Sequence, residues 1–383
     1  MSSFNPKHVP SPSYVIDKQA LERNLKILAE VQNKSGAKIL LALKAFSMFE
    51  VAPLISEYLS GTCASGLYEA KLGREFFGGE VHTYSPAFKA ADIDTVLSLS
   101  DHVVFNSFTQ WNAFKNVAFG AQKDRPSLKF GLRVNPEHSE ATTEIYDPCA
   151  PSSRMGITLS EFDFSNLEGI SGLHFHTLCE QNFEPLSRTL DVIEKKFSSL
   201  LPQLNWINFG GGHHITSDNY DRQNLINCVK EFSQKYHLQV YLEPGEAIAI
   251  DAGYLVAEVL DVVKNKIAIA ILDASATCHM PDVLEMPYRP LIKKAELPNV
   301  FANNYRLAGP SCLTGDVIGD YSFAEPLQIG DRLVFEDMAI YTMVKNTTFN
   351  GVPLPSIVLY EADTDQYKVV KQFDYTDFKS RLS

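Results

Sequence analysis

The segment Lys38-Ile-Leu-Leu-Ala-Leu-Lys44 decides the fold of this 383-residue chain. Its run of apolar residues between two lysines predicts a fully buried strand of a parallel sheet, with Lys44 at the carboxyl end. Burial would disfavour the ammonium form of Lys44 and make its neutral amine a nucleophile toward an aldehyde-bearing cofactor. The alternative is a lysine whose charged end simply reaches solvent at the end of the strand.

Seven further candidate strands follow the first one, and helical stretches separate most of them. They are predicted at Thr62–Ser65, Val81–Ser85, His102–Asn106, Lys129–Val134, Gly169–His176, Asn205–Phe209 and Gln239–Glu243. Eight strand–helix units over roughly 250 residues are the count and size of a (β/α)8 TIM-type barrel, whose catalytic groups lie at the carboxyl ends of the strands. A doubly wound open sheet is the rival α/β fold, but no Gly-x-Gly-x-x-Gly motif follows the first strand.

Beyond Gly253 the pattern changes to short apolar segments separated by Pro, Gly, Asn and Asp. The segments are Tyr254–Val263, Ile267–Asp273, Arg332–Asp337, Tyr341–Lys345 and Ser356–Glu361. They predict a second, C-terminal antiparallel β domain, which the N-terminal strand Tyr14–Ile16 would complete. The predicted division is therefore an N-terminal segment 1–17 that joins the β domain, a barrel at 18–253, and the β domain at 254–383.

The composition is that of an ordinary globular protein, with 45% hydrophobic and 21% charged residues and no apolar run long enough to span a bilayer. The N-terminal residues lack the apolar core of a signal peptide, so a cytoplasmic location is expected. The net charge of -12 argues against nucleic acid and membrane as partners and leaves room for a cationic substrate. Six scattered cysteines suit reduced thiols, and no metal site is predicted.

Candidate catalytic and ligand-binding residues lie at the carboxyl ends of the predicted barrel strands. They are Lys44, Cys63, Arg133, His174, His176, Gly210–Gly212, Glu243, Gly245 and Glu246. The three glycines form either a tight turn or a backbone cradle for a phosphate. His174 and His176 share a strand face and are either core histidines or functional groups. A buried Glu243 requires a cationic or proton-donating partner, such as a pyridinium nitrogen or Arg133.

Six motifs, in order along the chain, together resemble the alanine-racemase-like (fold type III) pyridoxal-phosphate decarboxylases that act on basic amino acids. The motifs are Leu41-Ala-Leu-Lys44-Ala-Phe-Ser47, Gly172-Leu-His-Phe-His176, Asn208-Phe-Gly-Gly-Gly212, Glu243-Pro-Gly-Glu246, Gly309-Pro-Ser-Cys-Leu-Thr-Gly-Asp316 and Asp337-Met-Ala-Ile-Tyr-Thr342. The resemblance covers nearly the whole chain. Two further segments, Cys278–Pro290 and Tyr341–Asn346, resemble the family members that act on carboxylated triamines.

The resemblance implies pyridoxal 5'-phosphate as cofactor and assigns roles to individual residues. Lys44 would hold the cofactor as a Schiff base, His176 would stack on its ring, and Glu243 would bind the ring nitrogen. Further cofactor contacts would come from Gly211, Gly212, Gly245, Tyr341 and Arg133. Cys312 would protonate the carbanion from a loop of the partner subunit, which implies a homodimer with shared active sites. Lys44, His176 and Cys312 are thus the implied catalytic residues.

The implied reaction is decarboxylation of carboxynorspermidine to norspermidine and of carboxyspermidine to spermidine, in polyamine synthesis. Glu246 stands where ornithine-type relatives have an arginine, and Leu313 replaces an acidic residue of those relatives, so both argue against ornithine. A triamine needs several anionic contacts, for which the candidates are Glu246, Asp282, Glu285 and Asp316. Asp282 and Glu285 are three apart, so they belong either to one helical turn facing the site or to a solvated charged turn.

Other functions stay open at this stage. The same cofactor serves decarboxylation of diaminopimelate, ornithine, lysine or arginine, or racemisation; for diaminopimelate, Arg289 is the candidate partner of the distal carboxylate. A metal-dependent barrel hydrolase would use His174, His176, His213 and His214, although the last two are adjacent and cannot easily share one metal. A non-catalytic cofactor carrier would need neither the second domain nor the Cys312 loop.

Overall fold

Eight parallel strands close into a barrel in the computed structural model, which describes residues 4–383. After a first strand, β1 (Ser13–Asp17), the barrel strands are β2 (Lys38–Ala42), β3 (Gly61–Ala64), β4 (Glu80–Tyr84), β5 (His102–Phe105), β6 (Lys129–Arg133), β7 (Ile170–His174), β8 (Trp206–Asn208) and β9 (Gln239–Leu242). All eight predicted barrel strands are confirmed, and their ends differ from the prediction by at most two residues.

Helices separate most of the barrel strands, as the sequence predicts, whereas between β6 and β7 two short 3-10 helices take the place of an α-helix. The α-helices are α1 (Lys18–Ser35), α2 (Ala52–Tyr58), α3 (Leu67–Phe76), α4 (Ile93–Leu99), α5 (Phe108–Asp124), α6 (Phe183–Phe197), α7 (Arg222–Tyr236) and the one-turn α8 (Glu246–Ala249). Helix α6 shows why they form: Leu186, Leu190 and Ile193 recur at helical spacing and are buried, and the Asn182 side chain caps the first turn.

A large indole packs inside the barrel, in the space that two glycines leave for it. Trp206 is buried at the start of β8 and packs with Leu40, Val104 and Tyr241. A Cβ atom at Gly131 or Gly172 would collide with the Trp206 indole, so only glycine fits at these two strand positions. The barrel is therefore a packed core, and a ligand can bind only at its ends.

The remaining strands form a second sheet. They are β10 (Gly253–Asn265), β11 (Ile267–Leu272), β12 (Ala295–Glu296), β13 (Asn303–Ala308), β14 (Val317–Phe323), β15 (Arg332–Glu336), β16 (Ser356–Glu361) and β17 (Gln366–Lys371), with short helices α9 (Ala276–His279), α10 (Asp282–Glu285) and α11 (Tyr375–Lys379). The strand order is β12-β14-β13-β11-β10-β1-β16-β17, with β15 on β10. Most pairs are antiparallel, whereas β1–β16 and β11–β13 are parallel. The predicted contribution of the N-terminal strand is confirmed.

The chain divides into two compact units, Asn24–Ile248 and the described part of Met1–Arg23 with Ala249–Ser383. The domain limits 1–17, 18–253 and 254–383 stay a prediction. One predicted strand is wrong: Tyr341–Lys345 forms a turn, because the Val344 and Lys345 N–H groups both donate to the Tyr341 carbonyl. Among the described residues, no helix has the length and apolar character needed to cross a membrane.

Candidate active site

Lys44 lies just past the carboxyl end of β2, where the chain turns. The N–H groups of Ala45 and Phe46 both donate to the Ala42 carbonyl, at 3.0 and 3.4 Å, and these three residues are buried. The Lys44 side chain itself is exposed. Its predicted burial is wrong, because the strand ends two residues earlier and the turn directs this side chain out of the core. An exposed amine at the barrel mouth remains accessible to a ligand.

Glu243 directly follows β9, and its carboxylate has hydrogen-bond partners from two neighbouring strands. Its carboxylate lies 3.1 Å from His174 Nε2 and 2.7 Å from Asn208 Nδ2. Burial opposes ionisation of Glu243, but the nearby His174, His82 and Asn208 outweigh it and lower its pKa to about 2. Glu243 is therefore an ionised acceptor at neutral pH, and its predicted need for proton-donating partners is confirmed.

Two histidines at the mouth have different partners. His174 is the last residue of β7, and burial lowers its pKa although Glu243 opposes this, so a neutral ring donates to an ionised acid. His176 lies beyond the strand, which corrects its predicted place within it. Burial, with Lys44 and Arg133 nearby, lowers the pKa of His176 well below its usual value. Its Nδ1 accepts the Gly211 N–H at 2.7 Å, so the ring is neutral and fixed in orientation.

Arg133 ends β6 and is buried, but it does not pair with Glu243. Its Nη2 donates to the His176 carbonyl at 3.2 Å, and its guanidinium lies 4.7 Å from the centre of the Tyr84 ring. The Tyr84 hydroxyl in turn donates to Asn106 Oδ1 at 2.7 Å. Arg133 thus holds the backbone of His176 in place, and the partners of Glu243 are His174 and Asn208 instead.

The glycines after β8 approach neighbouring backbone too closely for any side chain. A Cβ at Gly211 would collide with the Glu243 carbonyl, and one at Gly212 would collide with the Leu178 carbonyl. Gly212 also has a φ of 81°, which favours glycine. Within residues 4–383 the N–H groups of Gly212 and Gly245 have no hydrogen-bond partner. Backbone N–H groups of this kind suit a phosphate.

Glu246, next to Gly245, begins α8 and meets a histidine. Its Oε2 lies 3.1 Å from His214 Nε2, and both side chains are partly buried. His213 is 1% exposed, and burial lowers its pKa to about 4. At neutral pH this ring is neutral. The two adjacent histidines therefore face different surroundings and do not act as a pair.

The sheet unit carries the other predicted site residues. Asp282 and Glu285 form one helical turn, α10, as their spacing predicts, and the prediction that this turn faces the active site stays a prediction. Both carboxylates contact the Lys345 ammonium, at 2.5 and 2.6 Å. Because one ammonium faces two carboxylates, the cluster keeps a net negative charge. Tyr341, with a φ of 52°, begins the turn that leads to Lys345.

Cys312 is exposed on the loop between β13 and β14, and its N–H donates to Asn350 Oδ1 at 2.8 Å. Asp316 is 3% exposed beneath this loop. Its carboxylate accepts from the Ser275 hydroxyl at 2.8 Å and from the N–H groups of Thr277 and Ser311 at 3.2 and 3.3 Å. The buried acid therefore holds the loop in shape. Its predicted contact with a substrate amine stays a prediction.

Three partners in this geometry were missed by the sequence analysis. Asn208 and Tyr84 are the last residues of β8 and β4, and the sequence gives no sign of which side chains they contact. Lys345 falls in the segment that was predicted as a strand. None of the three stands out without knowledge of what its side chain contacts.

The barrel mouth fits pyridoxal phosphate on its own chemistry. An accessible amine at Lys44, an ionised carboxylate at Glu243 for a protonated ring nitrogen, and unpaired N–H groups at Gly212 and Gly245 for a phosphate match the three polar parts of that molecule. A (β/α)8 barrel with this mouth and a second sheet unit defines the class of barrel enzymes that use this cofactor.

Comparison with known proteins assigns the chain more closely. A family model described as "Pyridoxal-dependent decarboxylase, C-terminal sheet domain" matches residues 13–339, and the chain belongs to this family. It is 44% identical to the carboxynorspermidine/carboxyspermidine decarboxylase of Campylobacter jejuni, over 97% of this chain and 98% of that protein. It is 42% identical to the carboxyaminopropylagmatine decarboxylase of Synechocystis, over the full length of both.

A solved structure agrees with these relatives. The crystal structure of carboxynorspermidine decarboxylase complexed with norspermidine, from Campylobacter jejuni, has a TM-score of 0.89 and 42% identity, covering 97% of this chain and all of that one. The predicted fold, a (β/α)8 barrel with a mostly antiparallel C-terminal sheet domain, is confirmed, as is the predicted family. Pyridoxal phosphate is the cofactor of the family, which sets aside the metal-dependent hydrolase.

Proposed function

We propose that this protein decarboxylates carboxynorspermidine to norspermidine and carboxyspermidine to spermidine, with pyridoxal phosphate as cofactor. The observation that carries the proposal is similarity along the whole chain, at 44% identity, to a decarboxylase of these two compounds. The acidic mouth residue Glu246 and the net negative cluster of Asp282, Glu285 and Lys345 support a polycationic substrate.

When bound, pyridoxal phosphate supplies an electron sink for the electron pair that remains when carbon dioxide leaves. We propose that Lys44 offers its amine to the cofactor aldehyde. Glu243, ionised and held by His174 and Asn208, keeps a proton on the cofactor ring nitrogen. His176 lies in the mouth as a neutral ring fixed through Gly211, which suits it to pack flat against the cofactor.

We propose that the glycines at the barrel mouth hold the phosphate group of the cofactor. Gly211 and Gly212 let the backbone pack closely at this end of the barrel, and we propose that the N–H groups of Gly212 and Gly245, which have no partner within residues 4–383, would donate to the phosphate. Tyr341 is a further contact by the resemblance alone. Arg133 acts through His176, whose carbonyl it binds. These contacts hold the cofactor at the mouth so that the substrate α-carbon is placed correctly.

We further propose a cytoplasmic homodimer in which the Cys312 loop of one subunit completes the site of the other. The exposed thiol of Cys312 supports this, because a group that donates a proton to a substrate must be reachable. Asp316 contributes by holding the loop from beneath. Six free cysteines are consistent with a reducing compartment.

A second candidate substrate is carboxyaminopropylagmatine, because a decarboxylase of that compound is 42% identical over the full length of this chain. Its agmatine part ends in a guanidinium group, whereas the carboxylated triamines end in an ammonium group. A planar guanidinium favours two-pronged contact with a carboxylate, and an ammonium accepts any arrangement of acceptors. The two reactions share every step at the mouth and differ only at the distal cation.

The experiment is a comparison of carbon dioxide release by the cofactor-loaded protein. The compounds are carboxynorspermidine, carboxyspermidine, carboxyaminopropylagmatine, diaminopimelate, ornithine, lysine and arginine. We expect the first two to give a kcat/KM at least about tenfold above every other compound, which corresponds to about 1.4 kcal/mol of transition-state binding. A preference for carboxyaminopropylagmatine would replace the proposal with the second candidate, and a preference for a plain amino acid would contradict both.

A further inference from the structure

Three residues with metal-binding side chains meet at the amino end of the barrel: Glu80, His82 and His102. Glu80 is the first residue of β4 and His102 the first of β5, whereas Lys44 and Glu243 follow the last residues of their strands. Because the barrel strands are parallel, the cluster lies at the end opposite the cofactor site. His82 is two residues after Glu80 on the same strand face, and it pairs with His102 in the register of the two strands.

The three side chains already approach one another. His82 Nε2 lies 2.9 Å from Glu80 Oε2, and one nitrogen or oxygen atom from each residue falls within 4.8 Å of the others. The two imidazole rings are stacked, with centroids 3.9 Å apart and planes inclined by 13°. The second carboxylate oxygen of Glu80 contacts the Lys38 ammonium.

Each of the two histidines has a buried ring nitrogen without a hydrogen-bond partner among residues 4–383. His82 is 2% exposed and His102 is 6% exposed, and within residues 4–383 the buried Nδ1 atom of each ring has no hydrogen-bond partner. Buried polar atoms normally have one, so two unsatisfied ring nitrogens side by side require an explanation. Packing alone does not provide it, because an apolar ring of similar size would stack equally well.

We propose that Glu80, His82 and His102 form a binding site for a divalent transition-metal ion, for which zinc is the best match. One nitrogen from each ring and one oxygen from Glu80 make a three-ligand set, and water takes the fourth tetrahedral position. The rings turn about their Cβ–Cγ bonds on binding, because a nitrogen lone pair lies in its ring plane. Lys38 orients the carboxylate from its other oxygen.

The ion would join β4 to β5 at the closed end of the barrel. It binds only when the two strands are in register, so it stabilises the folded chain by mass action and takes no part in decarboxylation. Entry is from solvent past Glu80, whose side chain is 25% exposed, and Lys38, at 40%.

The test uses the cofactor-loaded protein, so that the mouth residues are occupied. The protein is freed of metal with a chelator and titrated with zinc chloride by calorimetry, and with Co²⁺ for its visible absorption. We expect one equivalent per chain, a higher melting temperature with zinc, and the absorption of tetrahedral Co²⁺. His102→Gln should weaken binding by at least about tenfold.

Two further variants keep the test decisive. Glu80→Gln removes a ligand charge at a part-exposed position, so it reports on the site even if His102→Gln fails to fold. His138→Gln is the control, since His138 is a part-exposed histidine outside the cluster and its loss should leave the stoichiometry unchanged. The proposal would be overturned if the unmodified protein failed to bind zinc stoichiometrically. It would also be overturned if both cluster variants bound zinc as tightly as the unmodified protein.

Discussion

The barrel mouth and the Cys312 loop hold their polar groups in opposite ways. At the mouth the acid itself is the functional candidate, and Glu243 is buried among His174 and Asn208. In the loop the buried acid, Asp316, holds the backbone, while the functional candidate Cys312 is exposed. The carboxylate of Glu243 is therefore held by hydrogen bonds of its own, whereas Cys312 is held in place by hydrogen bonds to the backbone of its loop. Substitutions in the two regions should have different consequences.

The largest effect is expected where the mouth presents an exposed group. Lys44→Ala should lower kcat by at least about a thousandfold, because the amine that reacts with the cofactor is lost. The melting temperature should stay within a few degrees of wild type, since the side chain is exposed. Lys34→Ala is the matched control, because Lys34 is also exposed and pairs with Glu30 at the surface. Wild-type turnover by Lys44→Ala would remove this residue from the mechanism.

The next effect separates charge from shape at the mouth. Glu243→Gln keeps the size of the side chain but removes the negative charge that holds a proton on the cofactor ring. We expect kcat/KM to fall about 10²–10³-fold, the usual loss for one preorganised electrostatic contact. The absorption spectrum of the bound cofactor should also change, which a purely structural role would not cause. Glu57→Gln, at an exposed position on α2, should leave both unchanged. An unaltered spectrum in Glu243→Gln would contradict the assignment.

A smaller effect concerns stability rather than catalysis. Burial lowers the pKa of His213 to about 4, below its value of about 6.5 in an unfolded chain. Between these pH values the unfolded chain binds more protons than the folded chain. The contribution of the neutral, buried His213 to the unfolding free energy is therefore complete above pH 6.5 and is lost as the pH falls toward 4. As the pH falls from 6.5 to 4, the unfolding free energy of wild type should therefore drop by roughly 1–3 kcal/mol more than that of His213→Gln.

The measurement is denaturant unfolding at pH 7 and pH 4.5. The control is His237→Asn, because His237 is exposed at the end of α7 with a φ of 56°, a conformation that asparagine tolerates. This control should show the same pH dependence as wild type. An identical decrease in His213→Gln and wild type would show that His213 does not contribute.

The two units also differ in how far the sequence predicts them. The barrel strands are short, apolar and regularly spaced, so their number, order and type follow from local pattern. In the sheet unit, β13 and β14 contain Asn304, Arg306, Gly319 and Asp320 and lack a clear alternation, so both were missed. The two strands pair with each other, and β13 also pairs with β11, which lies farther away in the sequence. Local pattern carries no information on such pairing.

Side-chain partners show the same limit within the site. The need of Glu243 for proton-donating partners follows from burying a carboxylate, but the identity of Asn208 as one of them does not. The exposure of Lys44 depends on the turn that directly follows β2, which the apolar pattern does not reveal. The pairing of Lys345 with α10 requires the fold of the turn that begins at Tyr341.

The comparison of the two regions is tested most directly by mixing two inactive variants. Lys44→Ala lacks the mouth group and Cys312→Ala lacks the loop group, and each should be severely impaired in norspermidine formation when assayed alone. If every site combines Lys44 of one subunit with Cys312 of the partner subunit, unfolding and refolding an equal mixture should restore about a quarter of wild-type activity, since half the dimers are mixed and each has one intact site. Activity no higher than the sum of the separate variants would contradict the shared site.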